Sequence, residues 1–250
     1  MPKFFVDEIQ MNDNKIYITG QDVNHIKNVL RLKPKDMIEV CNIKEEKTYN
    51  SEIVAFEDEQ VICKIIDKQE ISKESNLNIN IFQGLPKAEK MELIIQKCTE
   101  LGVKEITPVV MKRSVVKLDE KDKVKKIERW RKIAQMASEQ SGRDAITKMN
   151  NVININNVCN LIEKYDIVLI AYENEQINNL REEIKKLKDL KKDNLNLGVI
   201  IGPEGGIDEI EYEELVSHGA KSISLGKRIL RTETAPIMIS SILMYELGDI

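Results

Sequence analysis

From residue 77 onward, short apolar runs alternate with stretches of helical periodicity, and this alternation limits the folds that the chain can adopt. The runs typical of buried strands are Ile79–Phe82, Glu105–Val110, Asp166–Ala171, Leu195–Ile201 and Ser222–Leu225. The periodic stretches predict helices at Met91–Leu101, Lys121–Ser141, Ile177–Lys192, Asp208–Ser217 and Ala235–Leu247. Strands that alternate with helices form a parallel sheet covered on both faces. We therefore predict an α/β fold whose ligands bind at the carboxyl ends of the strands.

The first 70 residues have a different texture, with short β-branched or aromatic runs separated by polar turns. The predicted strands are Lys3–Val6, Lys15–Thr19, Met37–Cys41, Ser51–Phe56 and Gln60–Ile66. One helix, Gln21–Leu32, interrupts them, with Ile26, Val29 and Leu30 on a single face. These patterns predict a small β-rich domain at residues 1–70, a linker at 71–76 and the α/β domain at 77–250.

Charge is distributed unevenly along the chain, whose net charge is −4. Residues 71–150 carry 17 Lys/Arg and 11 Asp/Glu, a net charge of +6, whereas the flanking regions are acidic. This middle region could present a face to phosphates, although the basic run Lys121–Lys132, taken alone, is more typical of the solvated face of a helix. In the long helix we expect a stripe of five residues to face the core: Val124, Ile127, Trp130, Ala134 and Ala137.

Several classes of protein are disfavoured by composition. Four widely separated cysteines and two histidines do not form a metal-binding pattern. No apolar run approaches the roughly 20 residues of a membrane span. The first ten residues include Asp7 and Glu8 and do not look like a signal peptide. We therefore expect a cytoplasmic protein without a metal.

The apolar run Leu197–Ile201 ends in the turn Gly202-Pro203-Glu204-Gly205-Gly206. Glycines at a strand end let the backbone approach a ligand closely, and Pro203 fixes the turn. The helix that follows begins with the capping residue Asp208 and carries Glu209 and Glu211, which would repel a phosphate. Neither a Walker loop nor a dinucleotide-binding glycine pattern is present. The turn therefore suits a cofactor with a cationic sulfonium better than a nucleoside triphosphate, although such a turn alone is commonly structural.

A second strand end carries Leu225-Gly226-Lys227-Arg228-Ile229-Leu230-Arg231 and leads into a helix start at Thr234 and Pro236. The final helix is apolar on nearly all sides, so it is buried either in the core or against another subunit.

The two glycine-bearing segments, Gly202–Gly206 and Leu225–Ala235, resemble the paired signatures of the RsmE family of SPOUT methyltransferases. Five further segments resemble family motifs: Phe4–Val6, His25–Arg31, Gln96–Val103, Arg129–Ala134 and Glu139–Arg143. The resemblance runs in order along essentially the whole chain.

The resemblance implies methylation of N3 of one uridine in 16S ribosomal RNA, with S-adenosylmethionine as the methyl donor. It also implies a PUA-like first domain, a trefoil knot in the second domain and a homodimer. Two other interpretations remain open: a SPOUT ribose 2′-O-methyltransferase, and a non-catalytic RNA-binding assembly factor that kept the fold.

The resemblance further assigns residues to roles. The residues expected to bind the cofactor are Ala171, Tyr172, Glu173, Ile201, Gly202, Pro203, Glu204, Gly205, Gly206, Leu225, Gly226, Arg228, Ile229, Leu230, Thr234 and Ala235. Arg231 is expected to be catalytic, because an arginine could stabilise the negative charge that develops on the uracil oxygens. Pairing with Glu233 is an alternative role for it, and Glu204 is expected to orient the substrate. The expected RNA contacts are Lys3, His25, Arg31, Arg113 and Arg143; for Arg143, capping of a helix end competes with this role.

Overall fold

The computed structural model describes residues 1–190 and 192–248, which divide into two compact units. The first unit comprises Met1–Glu74 and Ser138–Ile146, and the second comprises Ser75–Ala137 and Thr147–Ile250. The sequence-based division placed Ser138–Ile146 in the second domain. The structure instead groups this segment with the first unit, because its buried Asp144 binds Lys3 and Thr48.

The first unit contains a six-stranded sheet with the spatial order β1-β4-β5-β6-β3-β2. Its strands are β1 Lys3–Val6, β2 Met11–Asn12, β3 Lys15–Thr19, β4 Met37–Asn42, β5 Lys47–Phe56 and β6 Gln60–Lys68. Only β1 and β4 pair in parallel; the other neighbours are antiparallel. Alternate residues of β3 are buried, as in a sheet covered on one face, whereas β1 is buried along its whole length.

A short helix, α1 Gln21–Asn24, continues into a π-helical turn at His25–Val29 and covers the core of the first unit. Ile26 is fully buried, as predicted. The prediction for Val29 and Leu30 was wrong, because the exposed fractions of these residues are 63% and 38%. The π-helical turn adds a residue to the helical repeat, so the face expected from a period of 3.6 residues is not kept.

The second unit contains a parallel sheet with the order β10-β8-β7-β12-β11-β13, and a short strand, β9, pairs with β8. Its strands are β7 Asn78–Gly84, β8 Glu105–Val110, β9 Lys148–Met149, β10 Ile153–Asn154, β11 Ile167–Ala171, β12 Asn196–Ile201 and β13 Lys221–Ile223. Its helices are α2 Lys90–Glu100, α3 Glu120–Ser141, α4 Ile155–Cys159, α5 Leu180–Asp189, α6 Glu209–Ser217 and α7 Thr234–Leu247, and the last residues of α3 belong to the first unit. The predicted parallel α/β fold is confirmed.

Two helix predictions need correction. In α3, Val124 is 59% exposed, whereas Ile127, Trp130, Ala134 and Ala137 are buried as expected. The helix predicted at Ile177–Lys192 begins only at Leu180, because the Glu175 carboxylate accepts hydrogen bonds from the Ile177 and Asn178 N–H groups and holds a turn there. Part of the predicted C-terminal end of this helix, Lys191, lies outside the described residues.

The four cysteines are buried free thiols. No helix among the described residues has both the length and the apolarity needed to cross a membrane.

Candidate functional site

Three loops at the carboxyl ends of β11, β12 and β13 enclose a cavity of about 520 Å³ in the second unit. Because β12 and β13 both flank β11, the glycine-bearing turns that follow them come together although they are about 20 residues apart. The cavity is lined by Lys90, Ala171, Tyr172, Glu173, Ile201, Gly202, Pro203, Glu204, Gly205, Gly206, Ser224, Leu225, Gly226, Lys227, Arg228, Ile229, Leu230, Arg231, Thr232 and Ala235. Its position follows the general rule for ligand sites in parallel sheets.

Nearly all residues expected at the cofactor site therefore line one cavity. Among the described residues, Thr234 is the one predicted cofactor residue outside this lining; it is exposed at the start of α7. Sequence reasoning missed Lys90, Ser224, Lys227 and Thr232. One signal could have identified Lys90: a lysine in the first turn of a helix opposes the helix dipole, which favours anionic side chains there.

The turn after β12 has little room for side chains. Gly206 has a φ of +72°, and a Cβ there would overlap the carboxylate of Glu173. Within the described part of the chain, no hydrogen bond or ion pair engages that carboxylate. The close approach of the two loops thus depends on glycine at position 206. The carboxylate of Glu173 lies at the cavity wall beside this glycine.

The last residue of β7, Gly84, packs against Pro203 in the turn after β12. A Cβ at Gly84 would lie 2.6 Å from Pro203 Cδ and 2.7 Å from the Pro203 nitrogen. The third near neighbour, at 2.9 Å, would be Met111 Sδ. Gly84 therefore allows the backbone of the turn to rest directly on the strand.

We expect Gly84→Ala to lower the free energy of unfolding by about 1–3 kcal/mol, because overpacking forces the backbone to move. Urea unfolding of wild-type and variant protein measures this difference. An unchanged transition midpoint would contradict the proposed contact between β7 and the turn.

An ionic network lies on one side of the cavity. Lys90 Nζ is 3.0 Å from Glu204 Oε1 and 3.3 Å from Glu233 Oε2, and the Lys87 N–H donates to Glu204 Oε1 at 3.0 Å. Partial burial raises the pKa of Glu204, but hydrogen bonds from backbone N–H groups and from Lys90 outweigh it, so its pKa is lowered. The hydrogen bond with Glu204 raises the pKa of Lys90. Both groups are therefore ionised at neutral pH.

Arg231 lies in the second glycine-bearing turn, directly before Thr232, and its side chain is held less firmly than those of the ionic network. Its side chain is 82% exposed, and its Nη1 is 3.9 Å from Glu233 Oε1, which is an ion pair rather than a close hydrogen bond. The guanidinium can therefore move toward a ligand in the cavity.

The residues expected to contact RNA have different environments. Lys3 and Arg143 are buried, Lys3 beside Asp144 at 2.5 Å and Arg143 beside Glu74 at 2.6 Å. Their expected RNA contact needs correction, because these ion pairs leave them almost no accessible surface.

The other three expected RNA contacts reach the surface. His25 is partly exposed, with its ring edge-on to Phe4, and Arg31 is exposed at a φ of +55°. Arg113 is half-exposed, and it donates to the Gly205 carbonyl at 3.3 Å, so it also supports the turn after β12.

No group of three or more potential ligands that could hold a metal ion is found among the residues described. The cavity itself combines glycine backbone, the unpaired carboxylate of Glu173, and two exposed guanidinium groups, those of Arg228 and Arg231. It can hold a cofactor through backbone contacts while a cationic side chain faces a second reactant.

Comparisons with known proteins agree with this arrangement. The family model described as "RNA methyltransferase domain" matches residues 73–244, and "RNA methyltransferase PUA domain" matches residues 18–66. Ribosomal RNA small subunit methyltransferase E of Bacillus subtilis is 36% identical over 92% of this chain and 89% of that protein. The protein of the same name from Mesomycoplasma hyopneumoniae is 34% identical over 96% of this chain and 97% of that protein.

Among solved structures, the fold is similar to ribosomal RNA small subunit methyltransferase E from Neisseria gonorrhoeae, described as bound to S-adenosyl methionine. The TM-score is 0.85 at 29% identity, and the match covers 100% of this chain and 99% of that one. With the matched domains and the cavity at the strand ends, these likenesses show that the chain belongs to the RsmE family of ribosomal RNA methyltransferases.

Proposed function

We propose that this protein transfers a methyl group from S-adenosylmethionine to N3 of a specific uridine in the 16S ribosomal RNA of the small subunit. The observation that carries the proposal is the single cavity formed by the two glycine-bearing turns, in a chain that belongs to a ribosomal RNA methyltransferase family. Such a reaction belongs to ribosomal RNA processing during ribosome biogenesis, so we place the protein in the cytoplasm.

The lining fits this cofactor in size and charge. A volume of about 520 Å³ lies within the range of pockets that bind small molecules, roughly 300–1,000 Å³. The cofactor carries a positive sulfonium and an ammonium group, and the free Glu173 carboxylate beside Gly206 offers a complementary charge. We assign cofactor binding to the loops 171–173, 201–206, 225–226 and 228–230 and to Ala235, without Thr234.

The bound cofactor would supply an electrophilic methyl group, and the chain's own residues would prepare the acceptor. Methylation forms a bond from uracil N3 to the methyl carbon and would break the bond from that carbon to sulfur, so the sulfonium would leave as a neutral thioether. Uracil N3 gives up its proton to solvent, and the negative charge that develops spreads onto the two carbonyl oxygens of the base. Arg231 is one of two exposed arginines that line the cavity, and its guanidinium can donate to these oxygens. We propose that Arg231 is the catalytic residue that stabilises this charge.

For Glu204 we propose a role in orienting the substrate. Its lowered pKa makes it a weak base at neutral pH, and its Oε1 atom already accepts from Lys87 N and Lys90 Nζ. It therefore fixes the Lys90 ammonium at the cavity, where Lys90 can face the uracil or its phosphate.

Ribosomal RNA would be contacted by hydrogen-bond donors outside the cavity. We propose His25, Arg31 and Arg113 for these contacts, because all three reach the surface and side chains of these types can donate hydrogen bonds to phosphates. An RNA contact through phosphates weakens as salt rises, so binding to 16S ribosomal RNA should be strongly salt-dependent.

We further propose a homodimer that forms through α7, and a trefoil knot in the second unit. On its accessible side, α7 carries a largely apolar stripe: Ile237, Met238, Ser241, Ile242 and Tyr245. Such a face supports association with a second copy. The knot is supported by membership of the RsmE family, whose resemblance implies it.

We expect Met238→Arg and Ile242→Arg each to weaken the dimer by about 2–5 kcal/mol, because each would bury an unpaired charge in the interface. Sedimentation velocity over a range of protein concentrations measures this effect. Ile210→Arg is the matched control, since Ile210 is 66% exposed on α6 and should leave the dimer intact. A monomeric wild-type protein would remove the dimer from the proposal.

The test of function is methyl transfer from labelled S-adenosylmethionine to small ribosomal subunits that lack this modification, followed by mapping of the modified nucleotide. Nucleoside digestion and mass spectrometry distinguish 3-methyluridine from a ribose 2′-O-methyl group. Calorimetry with S-adenosylmethionine addresses the assembly-factor hypothesis, which predicts no affinity for the cofactor.

A further inference from the structure

Gln83 is a buried polar residue at the end of β7, and the chemistry described so far leaves it without a role. It is 0% exposed and pairs in register with Ile201, the residue immediately before the first glycine-bearing turn. It does not line the cavity. Its Oε1 atom has no hydrogen-bond partner in the part of the chain that the structure describes. A buried amide with an unpaired oxygen is unfavourable for stability by itself, which indicates that the amide has a function.

The amide nitrogen of Gln83 begins a directed chain of hydrogen bonds. Gln83 Nε2 donates to the Gly84 carbonyl at 2.9 Å and to Thr232 Oγ1 at 3.0 Å. Thr232 Oγ1 in turn donates to the Gly202 carbonyl at 2.7 Å. The hydroxyl has one proton, which goes to Gly202, so Thr232 can only accept from Gln83. A flipped amide would place its oxygen against two acceptors, and this fixes the orientation of Gln83.

This chain connects the two glycine-bearing turns of the cavity. Gly202 opens the turn after β12, and Thr232, which is 7% exposed, ends the turn after β13. One hydroxyl therefore sets the distance between the two loops, and the buried amide holds that hydroxyl in its rotamer. The adjacent residues belong to the site as well: Glu233 pairs with Lys90, and Arg231 precedes Thr232.

We propose that Gln83 and Thr232 are positioning residues that hold the two cofactor loops at the spacing that S-adenosylmethionine requires. This inference rests on the proposed function. Loops that are fixed before binding lose less conformational freedom when the cofactor binds. The chain of hydrogen bonds should therefore act on the affinity for the cofactor. The chain of hydrogen bonds should have little effect on kcat at saturating cofactor, whereas replacing Arg231 should lower kcat.

The test compares Thr232→Val, which keeps the shape and removes the hydroxyl, with Thr232→Ser, which keeps the hydroxyl. We expect Thr232→Val to raise the Kd for S-adenosylmethionine about tenfold to 100-fold in calorimetry, the range for a lost hydrogen bond that leaves a buried partner unsatisfied. Thr232→Ser should stay within about threefold of wild type. At saturating cofactor, kcat of both variants should stay close to the wild-type value.

Gln83→Met provides a second, independent arm, because it removes the donor from a residue that does not line the cavity. It should raise the Kd for S-adenosylmethionine by about tenfold. Its thermal unfolding midpoint should stay close to that of wild type. The effects of Gln83→Met and Thr232→Val on this Kd should not add, because both act on the same chain of hydrogen bonds. If Thr232→Val does not fold, the Kd of Gln83→Met for S-adenosylmethionine tests the inference by itself.

Two results would overturn the inference: wild-type affinity in the variants that fold, or an equal loss in Thr232→Ser and Thr232→Val. Failure of the proposed function gives a different result, because the wild-type protein itself would then not bind S-adenosylmethionine, and the inference would fall with it.

Discussion

Replacing Arg231 with alanine is expected to lower kcat for methyl transfer by about 100-fold to 1,000-fold, the range found when a donor to a developing negative charge is removed. The side chain is exposed and is held only by a 3.9 Å ion pair with Glu233, so its removal should leave the loops unchanged. The Kd for S-adenosylmethionine should therefore remain within about threefold of wild type. Turnover with labelled cofactor and calorimetry measure the two quantities.

Two further variants define what the arginine contributes. Arg231→Lys keeps the charge but loses the planar fork of donors, so its activity should lie between those of wild type and Arg231→Ala. Arg181→Ala is the control, because Arg181 is an exposed arginine of α5 that does not line the cavity, and its activity should match wild type. Wild-type turnover in Arg231→Ala would remove Arg231 from the mechanism.

Replacing Asp144 with alanine is expected to destabilise the first unit by about 3–5 kcal/mol, the cost of leaving a buried charge without its partner. Asp144 is 2% exposed and accepts from Lys3 Nζ at 2.5 Å, Thr48 Oγ1 at 2.6 Å and Lys73 N at 2.6 Å. Its loss leaves the buried Lys3 ammonium with the Gly142 carbonyl at 3.3 Å and with Glu39, the one remaining carboxylate near it among the described residues, at 3.9 Å. Urea unfolding measures the change, and hydrogen exchange in β1 and β4 assigns it to the first unit.

The contribution of charge can be separated from that of shape. In the double variant Lys3→Met, Asp144→Asn no charge remains unpaired, and the asparagine oxygen can still accept a hydrogen bond, so much of the lost stability should return. Asp58→Ala, at an exposed position between β5 and β6, is the control and should change the free energy of unfolding by no more than about 0.5 kcal/mol. A single Asp144→Ala variant as stable as this control would contradict the importance of the ion pair.

The same carboxylate predicts a pH dependence. Burial raises the pKa of Asp144, but hydrogen bonds from Lys3, Lys73 N and Thr48 outweigh burial and lower it from its ordinary value of 3.8. A group with a lowered pKa stabilises the fold fully above its unfolded pKa and loses this contribution as pH falls through the folded value. The stability difference between wild type and Asp144→Asn should therefore be constant above that ordinary value and shrink in more acidic solution.

The sequence by itself determined the order and type of most elements of the second unit. A short continuous apolar run such as Leu197–Ile201 predicts a buried strand. Helix ends also follow local rules, as the cap residues Gly102 of α2 and Asp208 of α6 show. The glycine-bearing turns could also be located from the sequence, because a positive φ and a close approach of the backbone are local requirements that glycine meets. Parallel strands end at the same edge of a sheet, so the turns were expected to lie near each other. The strand order, in which β12 and β13 both flank β11, brings them into one cavity.

Only the tertiary structure decided which side chains complete the site and which charges are buried. Gln83 and Thr232 are 149 positions apart, and Lys3 and Asp144 are 141 apart, so no local pattern connects either pair. Lys3 and Arg143 appear as candidate RNA contacts in the sequence, and Val124 appears as a core residue, yet each has the opposite exposure. A polar or charged side chain is buried only where the fold brings it a partner, and the identity of that partner is a property of the folded chain rather than of its neighbours in sequence.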